Sequence, residues 1–171
     1  MKTRIMNAKL VLEDRVIERG SLVLEDGVIT SVEAGLSASA AEIDLRGQVL
    51  MPGMVDLHCD AIEKIIEPRP RVLFPFEFAL PLADLESVAA GITTPYYSLS
   101  FASGELGVRD VNLASEIVRK VVERRARKLD GALPVVDARV HCRYEITDEA
   151  GGPAISSLIE DGCVDMVSFM D

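Results

Sequence analysis

The hydrophobic pattern of the first fifty residues has the short period of strands. Leu22-Val23-Leu24 and Val28-Ile29 through Val32 flank Asp26-Gly27, and because both turn residues tolerate positive φ this pattern predicts a hairpin. Lys9-Leu10-Val11-Leu12 predicts an earlier strand, and Glu42-Ile43-Asp44-Leu45 follows a polar, Ala/Ser-rich loop at 34–41. Residues 1–50 therefore read as a small all-β, sandwich-like segment.

From Gln48 onward short apolar runs alternate with longer amphipathic ones. Val49-Leu50-Met51 and Met54-Val55-Asp56-Leu57-His58 flank Pro52-Gly53, and a Pro-rich loop from Glu67 to Pro75 precedes a helix expected near Leu82–Ala90. Gly91 stops that helix before a strand at Ile92–Leu99. The next helix, near Val111–Leu129, places Leu113, Ile117, Val121 and Val122 on one face. Arg119, Arg124, Arg125 and Arg127 fall largely on the other, which predicts a solvated face. A strand region at Val135–Ile146, a short helix at Ala154–Asp161 with Pro153 at its first position and Gly162 at its stop, and a strand at Val164–Met170 complete the pattern.

This β-α-β-α-β-α-β order predicts an α/β fold with parallel strands and right-handed crossovers. Four strands do not close a (β/α)8 barrel, which commonly takes about 250 residues. Residues 51–171 thus read as the first half of such a barrel, truncated, with a last strand that no helix covers. A half-barrel completed by homo-oligomerisation is the other arrangement compatible with the pattern.

Composition narrows the classes. With 171 residues, 49% of them hydrophobic and 27% charged, the chain can bury a core and is not a disordered sequence. A net charge of −10 excludes the basic footprint of a nucleic-acid or anionic-membrane binder. Cys59, Cys142 and Cys163 are an odd count with no CxxC pair, so the expectation is free thiols in a reducing cytoplasm. Neither a signal-peptide pattern nor an apolar run of about 18 residues is visible, which predicts neither secretion nor membrane insertion.

Histidine is scarce, with two in the chain. His58 and Asp60 stand at i and i+2 at the end of an apolar run, where an extended strand would aim both at one ion. The second histidine opens His141-Cys142-Arg143-Tyr144-Glu145, whose alternation puts His141, Arg143 and Glu145 on one strand face. Both sets fall at predicted strand ends, where parallel barrels gather their chemistry. Cys59 and Cys142 alternate away from these groups and read as core thiols.

The residues His58-Cys59-Asp60-Ala61-Ile62-Glu63-Lys64 with Pro68-Arg69-Pro70, Ala90-Gly91-Ile92-Thr93-Thr94, His141-Cys142-Arg143-Tyr144-Glu145 and Ser168-Phe169-Met170-Asp171 resemble one known family in register. Together with the all-β start and the Pro-Gly-Met-Val-Asp-Leu-His strand, they resemble the N-terminal portion of the amidohydrolase superfamily. The nearer resemblance is to its phosphonate-metabolism branch of ribose methylphosphonate triphosphate diphosphatases. The superfamily resemblance implies a metal-dependent (β/α)8 hydrolase using one or two divalent ions, of which zinc, manganese and iron all suit His, Asp and Glu donors. It implies His58, Asp60 and Glu145 as metal ligands.

The branch resemblance implies release of diphosphate from a ribose phosphonate triphosphate in phosphonate catabolism. Lys64, Arg69, Arg71 and Arg143 are then candidate contacts to the phosphates, since arginine matches phosphate oxygens bidentately and lysine supplies a compact charge. The plainer reading of these four cations is surface ion pairing with Glu63, Glu67 or Glu77. His141 is a further substrate-contact candidate, or an orienter of a metal-binding carboxylate. Ala61 departs from the branch, which tends to carry asparagine there, and the general base is expected beyond Asp171. Two rival functions stand beside this one: a hydrolase of C–N bonds in cyclic amides or acetamides, and a non-catalytic half-barrel interaction module.

Overall fold

A computed structural model describes residues 2–35, 43–102, 107–126 and 135–170. The Ala/Ser-rich loop expected at 34–41, the side chain of Arg127 and the terminal Asp171 fall wholly or largely outside them. The chain separates into two compact units, Met1–Pro52 and Gly53–Asp171.

In the first unit β1 (Lys2–Val11), β2 (Val16–Glu25) and β3 (Val28–Ala34) form an antiparallel meander. Two short strands, β4 (Ile43–Asp44) and β5 (Val49–Leu50), pair with β1 in parallel. Asp26 and Gly27 carry φ of 51° and 84°, the paired positive values of the two-residue turn that matches strand twist. Glu25 accordingly pairs with Val28 and Leu24 with Ile29. Ala8, Leu10 and Leu22 are buried at the centre, with Ile5, Ile17, Leu24, Leu45 and Leu50 packed around them. β1 is longer than the run Lys9–Leu12 predicts, because the residues from Lys2 to Ile5 are paired along β2.

The second unit is a four-stranded parallel sheet backed by helices, the half-barrel arrangement expected for residues 51–171. Its elements are β6 (Met54–Cys59), α1 (Ala61–Ile66), α2 (Phe76–Ala89), β7 (Ile92–Phe101), a 3-10 turn at Gly107–Arg109, α3 (Val111–Ala126), β8 (Arg139–Glu145), α4 (Gly151–Glu160) and β9 (Met166–Met170). Strand order is β6-β7-β8-β9, all parallel. Alternation divides the side chains of the sheet. Tyr97, Leu99 and Phe101 of β7 and Val140 and Cys142 of β8 join Ile117, Val118 and Val121 of α3 and Ile155 and Leu158 of α4 in one core. Ser98, Ser100, His141, Arg143 and Ser168 occupy the intervening positions and so belong to the opposite, inner face.

The helices differ from expectation in informative ways. α2 starts at Phe76 and runs through Pro81, so the proline lies inside the helix and not before it. Its cost of roughly 3 kcal/mol is borne because Ala79, Leu80 and Ala83 are buried against the sheet. α4 starts at Gly151, ahead of Pro153, where the Asp148 carboxylate accepts the N–H groups of Ala150 and Gly151 at 2.9 and 3.2 Å. It ends with Gly162 at φ 69° and a Cys163 N–H bond back to the Leu158 carbonyl, a Schellman closure.

The arginine face of α3 is not simply solvated. Arg124 Nε donates to Asp84 at 2.8 Å and Arg125 to Asp165 at 2.6 Å, while Arg119 reaches Asp161 at 3.0 Å. Asp84 is 1% exposed and also accepts the Tyr97 hydroxyl at 2.9 Å. These charges tie α3 to α2, to the end of α4 and to the approach to β9. The three cysteines are free thiols, and burial pushes the Cys142 thiol up to about 12. Among the described residues no helix is long and apolar enough to cross a membrane.

Candidate functional site

β6 enters the sheet under tight constraint. A Cβ on Gly53 would overlap the Thr93 side chain, and the Met54 N–H donates to the Gly91 carbonyl at 3.0 Å. Further along, the pairing of β6 with β7 slips between Asp56 and Cys59, and Asp56 Oδ1 accepts the His58 N–H at 3.0 Å. Such a bulge re-aims the side chains beyond it. β6 ends at Cys59, and Asp60 has helical backbone (φ −89°, ψ 0°) as the cap of α1. The straight-strand geometry expected to point His58 and Asp60 the same way is therefore not what the chain builds. Both residues are exposed.

The structure does bring the two histidines together. Their rings meet edge to face with centroids 5.3 Å apart and planes at 79°. His141 is 3% exposed and lies between two hydroxyls, with Ser98 Oγ 2.9 Å from Nδ1 and Ser168 Oγ 2.8 Å from Nε2. Burial, and then the charge of neighbouring His58, hold its pKa below the ordinary histidine value, against a bond to the Leu57 backbone that works the other way. The imidazole is thus neutral at pH 7, and both of its nitrogens are engaged.

Arg143 sits one step further along the inner face, in register with Ser100 on one side and Ser168 on the other. It is half-buried, and its buried Nε has no hydrogen-bond partner among the described residues. Glu145 ends β8 opposite Met170 and is half-buried. Lys64, Arg69 and Arg71 are exposed. None of the four cations makes the anticipated ion pairs with Glu63, Glu67 or Glu77 among the described residues. Glu63 is 6% exposed and accepts the Ser100 N–H at 3.0 Å and Arg109 Nε at 3.1 Å, locking α1 to the end of β7.

His58, Asp60 and Glu145 are not gathered into an ion cradle: among the described residues no three His, Cys, Asp or Glu side chains come together in one. His141 cannot supply the missing donor while Ser98 and Ser168 occupy its nitrogens. What these residues build unaided is a polar inner face with a fixed neutral histidine at its centre and beside it a guanidinium whose buried Nε is unpaired among the described residues. The sequence assigns no site role to Ser98 or Ser168, although Ser168 opens one of the runs that carry the family resemblance. Their signal is small polar residues in the alternating runs Tyr97-Ser98-Leu99-Ser100 and Val167-Ser168-Phe169, on the strand face shared with His141.

No protein-family model matches the chain. Among curated proteins it is 30% identical over 167 residues to the alpha-D-ribose 1-methylphosphonate 5-triphosphate diphosphatase of Escherichia coli (strain K12), an alignment covering 98% of this chain and 43% of that protein. It is 36% identical over 59 residues to the dihydroorotase of Halalkalibacterium halodurans, covering 34% of this chain and 14% of that protein. Among solved structures, the N-acetyl-D-glucosamine-6-phosphate deacetylase of Mycobacterium smegmatis in its D267A form superposes with a TM-score of 0.59 at 19% identity, over 98% of this chain and 43% of that one. The triazine hydrolase from Arthobacter aurescens does so with a TM-score of 0.56 at 14% identity, over 99% of this chain and 53% of that one. The chain thus spans less than half the length of the curated proteins it matches.

Proposed function

The chain belongs to the amidohydrolase superfamily, matching the N-terminal portion of its relatives, and from that premise we propose that it serves a hydrolase releasing diphosphate from a ribose phosphonate triphosphate. The observation that carries this reading is the breadth of the likeness to the diphosphatase, 98% of the chain at 30% identity, where the dihydroorotase likeness covers 34%. The structural likenesses bear on fold alone.

The charge distribution supports the same substrate class. Among the described residues Lys64, Arg69, Arg71 and Arg143 form no ion pair with a carboxylate, although the chain as a whole has a net charge of −10. Cations kept unpaired in an acidic protein suit an anionic ligand. A neutral cyclic amide has no use for them. In this proposal Arg143 and the exposed trio hold the phosphates, His141 and its serines give the inner face a fixed shape, and water adds to phosphorus as diphosphate departs with the bridging oxygen.

Superfamily members generally depend on divalent metal. His58, Asp60 and Glu145 are proposed as the donors this chain would contribute. Because the described residues do not form a cradle, further donors would have to complete it, and the roles assigned to these side chains stop at binding and orientation.

Binding provides the test. In low-salt buffer, calorimetric titration of the full chain with a ribose 5-triphosphate is expected to show saturable binding that weakens about tenfold in Arg143→Ala, the scale of one charge-assisted phosphate contact. Binding of dihydroorotate with no response to the triphosphate would overturn the reading in favour of C–N bond hydrolysis.

A further inference from the structure

We propose that Glu67 is a positioning residue, clasping the loop after α1 to the turn after β7 and so fixing where Arg69 and Arg71 present their charge. The inference rests on the phosphate-binding reading of those arginines. Glu67 is the residue at which α1 ends, its own N–H still bonded to the Glu63 carbonyl at 2.8 Å. Its two carboxylate oxygens face in different directions. Oε1 accepts the N–H of Arg71 at 2.6 Å, and Oε2 accepts the N–H of Val108 at 3.0 Å.

These two amides belong to different connections. Arg71 lies in the Pro-rich segment between α1 and α2, and Val108 lies in the 3-10 turn that leads from β7 into α3. Both connections follow strands of the parallel sheet, on the side where barrel enzymes build their sites. A single carboxylate with a backbone N–H on each oxygen is a strong, geometrically demanding bridge between them.

Two backbone features are shaped around this bridge. Gly107 has φ 79°, and a Cβ there would run into the Glu67 carboxylate, so the turn can approach only as glycine. Arg71 has φ 65°, a left-handed conformation that is unfavourable for a non-glycine residue and persists where surrounding bonds dictate it. The loop also closes on itself, through Val72 N–H to the Arg69 carbonyl and Phe74 N–H to the Ile66 carbonyl at 2.9 and 2.8 Å. Glu67 is therefore not needed to make the loop compact. Its effect is to dock the compact loop on its neighbour.

Neighbouring Glu63 repeats the device one turn earlier, holding the Ser100 N–H and Arg109 Nε. The pair at i and i+4 faces the same way on α1, so both carboxylates serve the β7 side. The charge of this motif thereby goes to backbone and to Arg109, and among the described residues Arg69 and Arg71 keep side chains without an ion pair.

The test combines amide hydrogen exchange with calorimetric titration of inorganic triphosphate, using the full chain and its Glu67→Ala, Glu67→Gln, Arg71→Ala and Glu67→Ala/Arg71→Ala variants. Protection is expected to be lost at both Arg71 and Val108 in Glu67→Ala without ligand. Triphosphate affinity should fall about tenfold in that variant, yet the double variant should bind no more weakly than Arg71→Ala. Glu67→Gln keeps one acceptor and safeguards the test should the alanine variant unfold; it should lose protection at one amide and part of the affinity. An equal loss of affinity with and without Arg71, or lost protection with unchanged affinity, would overturn the positioning role. If the native chain binds no triphosphate, the phosphate reading falls and the positioning role with it, while amides still protected in Glu67→Ala would remove the clasp itself.

Discussion

His141 holds the ring of His58 edge-on, 5.3 Å away at 79°, while its own two nitrogens face Ser98 and Ser168. An exposed histidine proposed as a ligand thereby rests against a buried one that three strands fix in place. This support is distinct from the bulge at Asp56, which sets the backbone of His58.

Replacing His141 separates packing from hydrogen bonding. His141→Phe keeps a ring beside His58 but leaves the fully buried Ser98 hydroxyl without the imidazole; a loss of about 1–3 kcal/mol is expected. His141→Ala also opens a cavity and should cost more. Urea denaturation measures both, and equal stabilities of wild type and His141→Phe would show that the serine contacts contribute nothing.

Ion binding by the chain should be weak. Since no three His, Cys, Asp or Glu side chains among the described residues form a cradle, zinc or manganese offered to the chain is expected to wash out on desalting. Elemental analysis checks this directly. A stoichiometric ion that disappears in both His58→Ala and Glu145→Ala would instead demonstrate that the donors gather on binding.

Asp84 is a buried charge that the fold should miss. It is 1% exposed, accepts the Tyr97 hydroxyl and pairs with Arg124. Asp84→Ala should destabilise by about 2–3 kcal/mol, because the buried Tyr97 hydroxyl loses its acceptor while the part-exposed Arg124 can turn to solvent. Tyr97→Phe removes one hydrogen bond and should cost roughly 1 kcal/mol. Thermal unfolding of the two variants should preserve that order.

Asp165 gives the fold a defined acid response. Burial would raise its pKa, but the Val140 N–H and the Arg125 guanidinium outweigh it and hold the carboxyl below the ordinary value of 3.8. A carboxyl depressed in the folded state stabilises fully above its unfolded pKa and loses that contribution as pH falls through the folded one. Stability should therefore decline below about pH 4, and Asp165→Asn should flatten that part of the profile, measured as urea midpoint against pH. An unchanged acid limb would exclude this residue as a source.

How much of this was legible in the sequence depends on local signals. Asp26-Gly27 announced its hairpin because the turn chemistry is contained in two residues, and the β/α alternation announced the parallel sheet. α1 was not legible, since six residues hold less than two helical turns and show no periodicity. The start of α2 was misplaced because Pro81 reads as a helix boundary, a local penalty that burial of Ala79 and Leu80 overrides. The pairing of His58 with Asp60 assumed a straight strand, and the slip after Asp56 is a property of pairing with β7 that no single run of residues encodes. Ser98 and Ser168 gained meaning only once His141 was placed between them.

The strand order β6-β7-β8-β9 is also the order of the chain. Each new strand is laid beside the one made just before it, so no gap has to be held open for a later arrival. Each closure spans one helical connection and never two, which keeps contact order as low as a parallel sheet allows. A polypeptide emerging from the ribosome could commit β6 and β7 with α2 between them, then add β8 and β9 in turn, acquiring its polar inner face in the sequence Ser98, His141, Ser168. The first unit lacks this convenience, since β4 and β5 must return to β1 after β2 and β3 have formed on its other side.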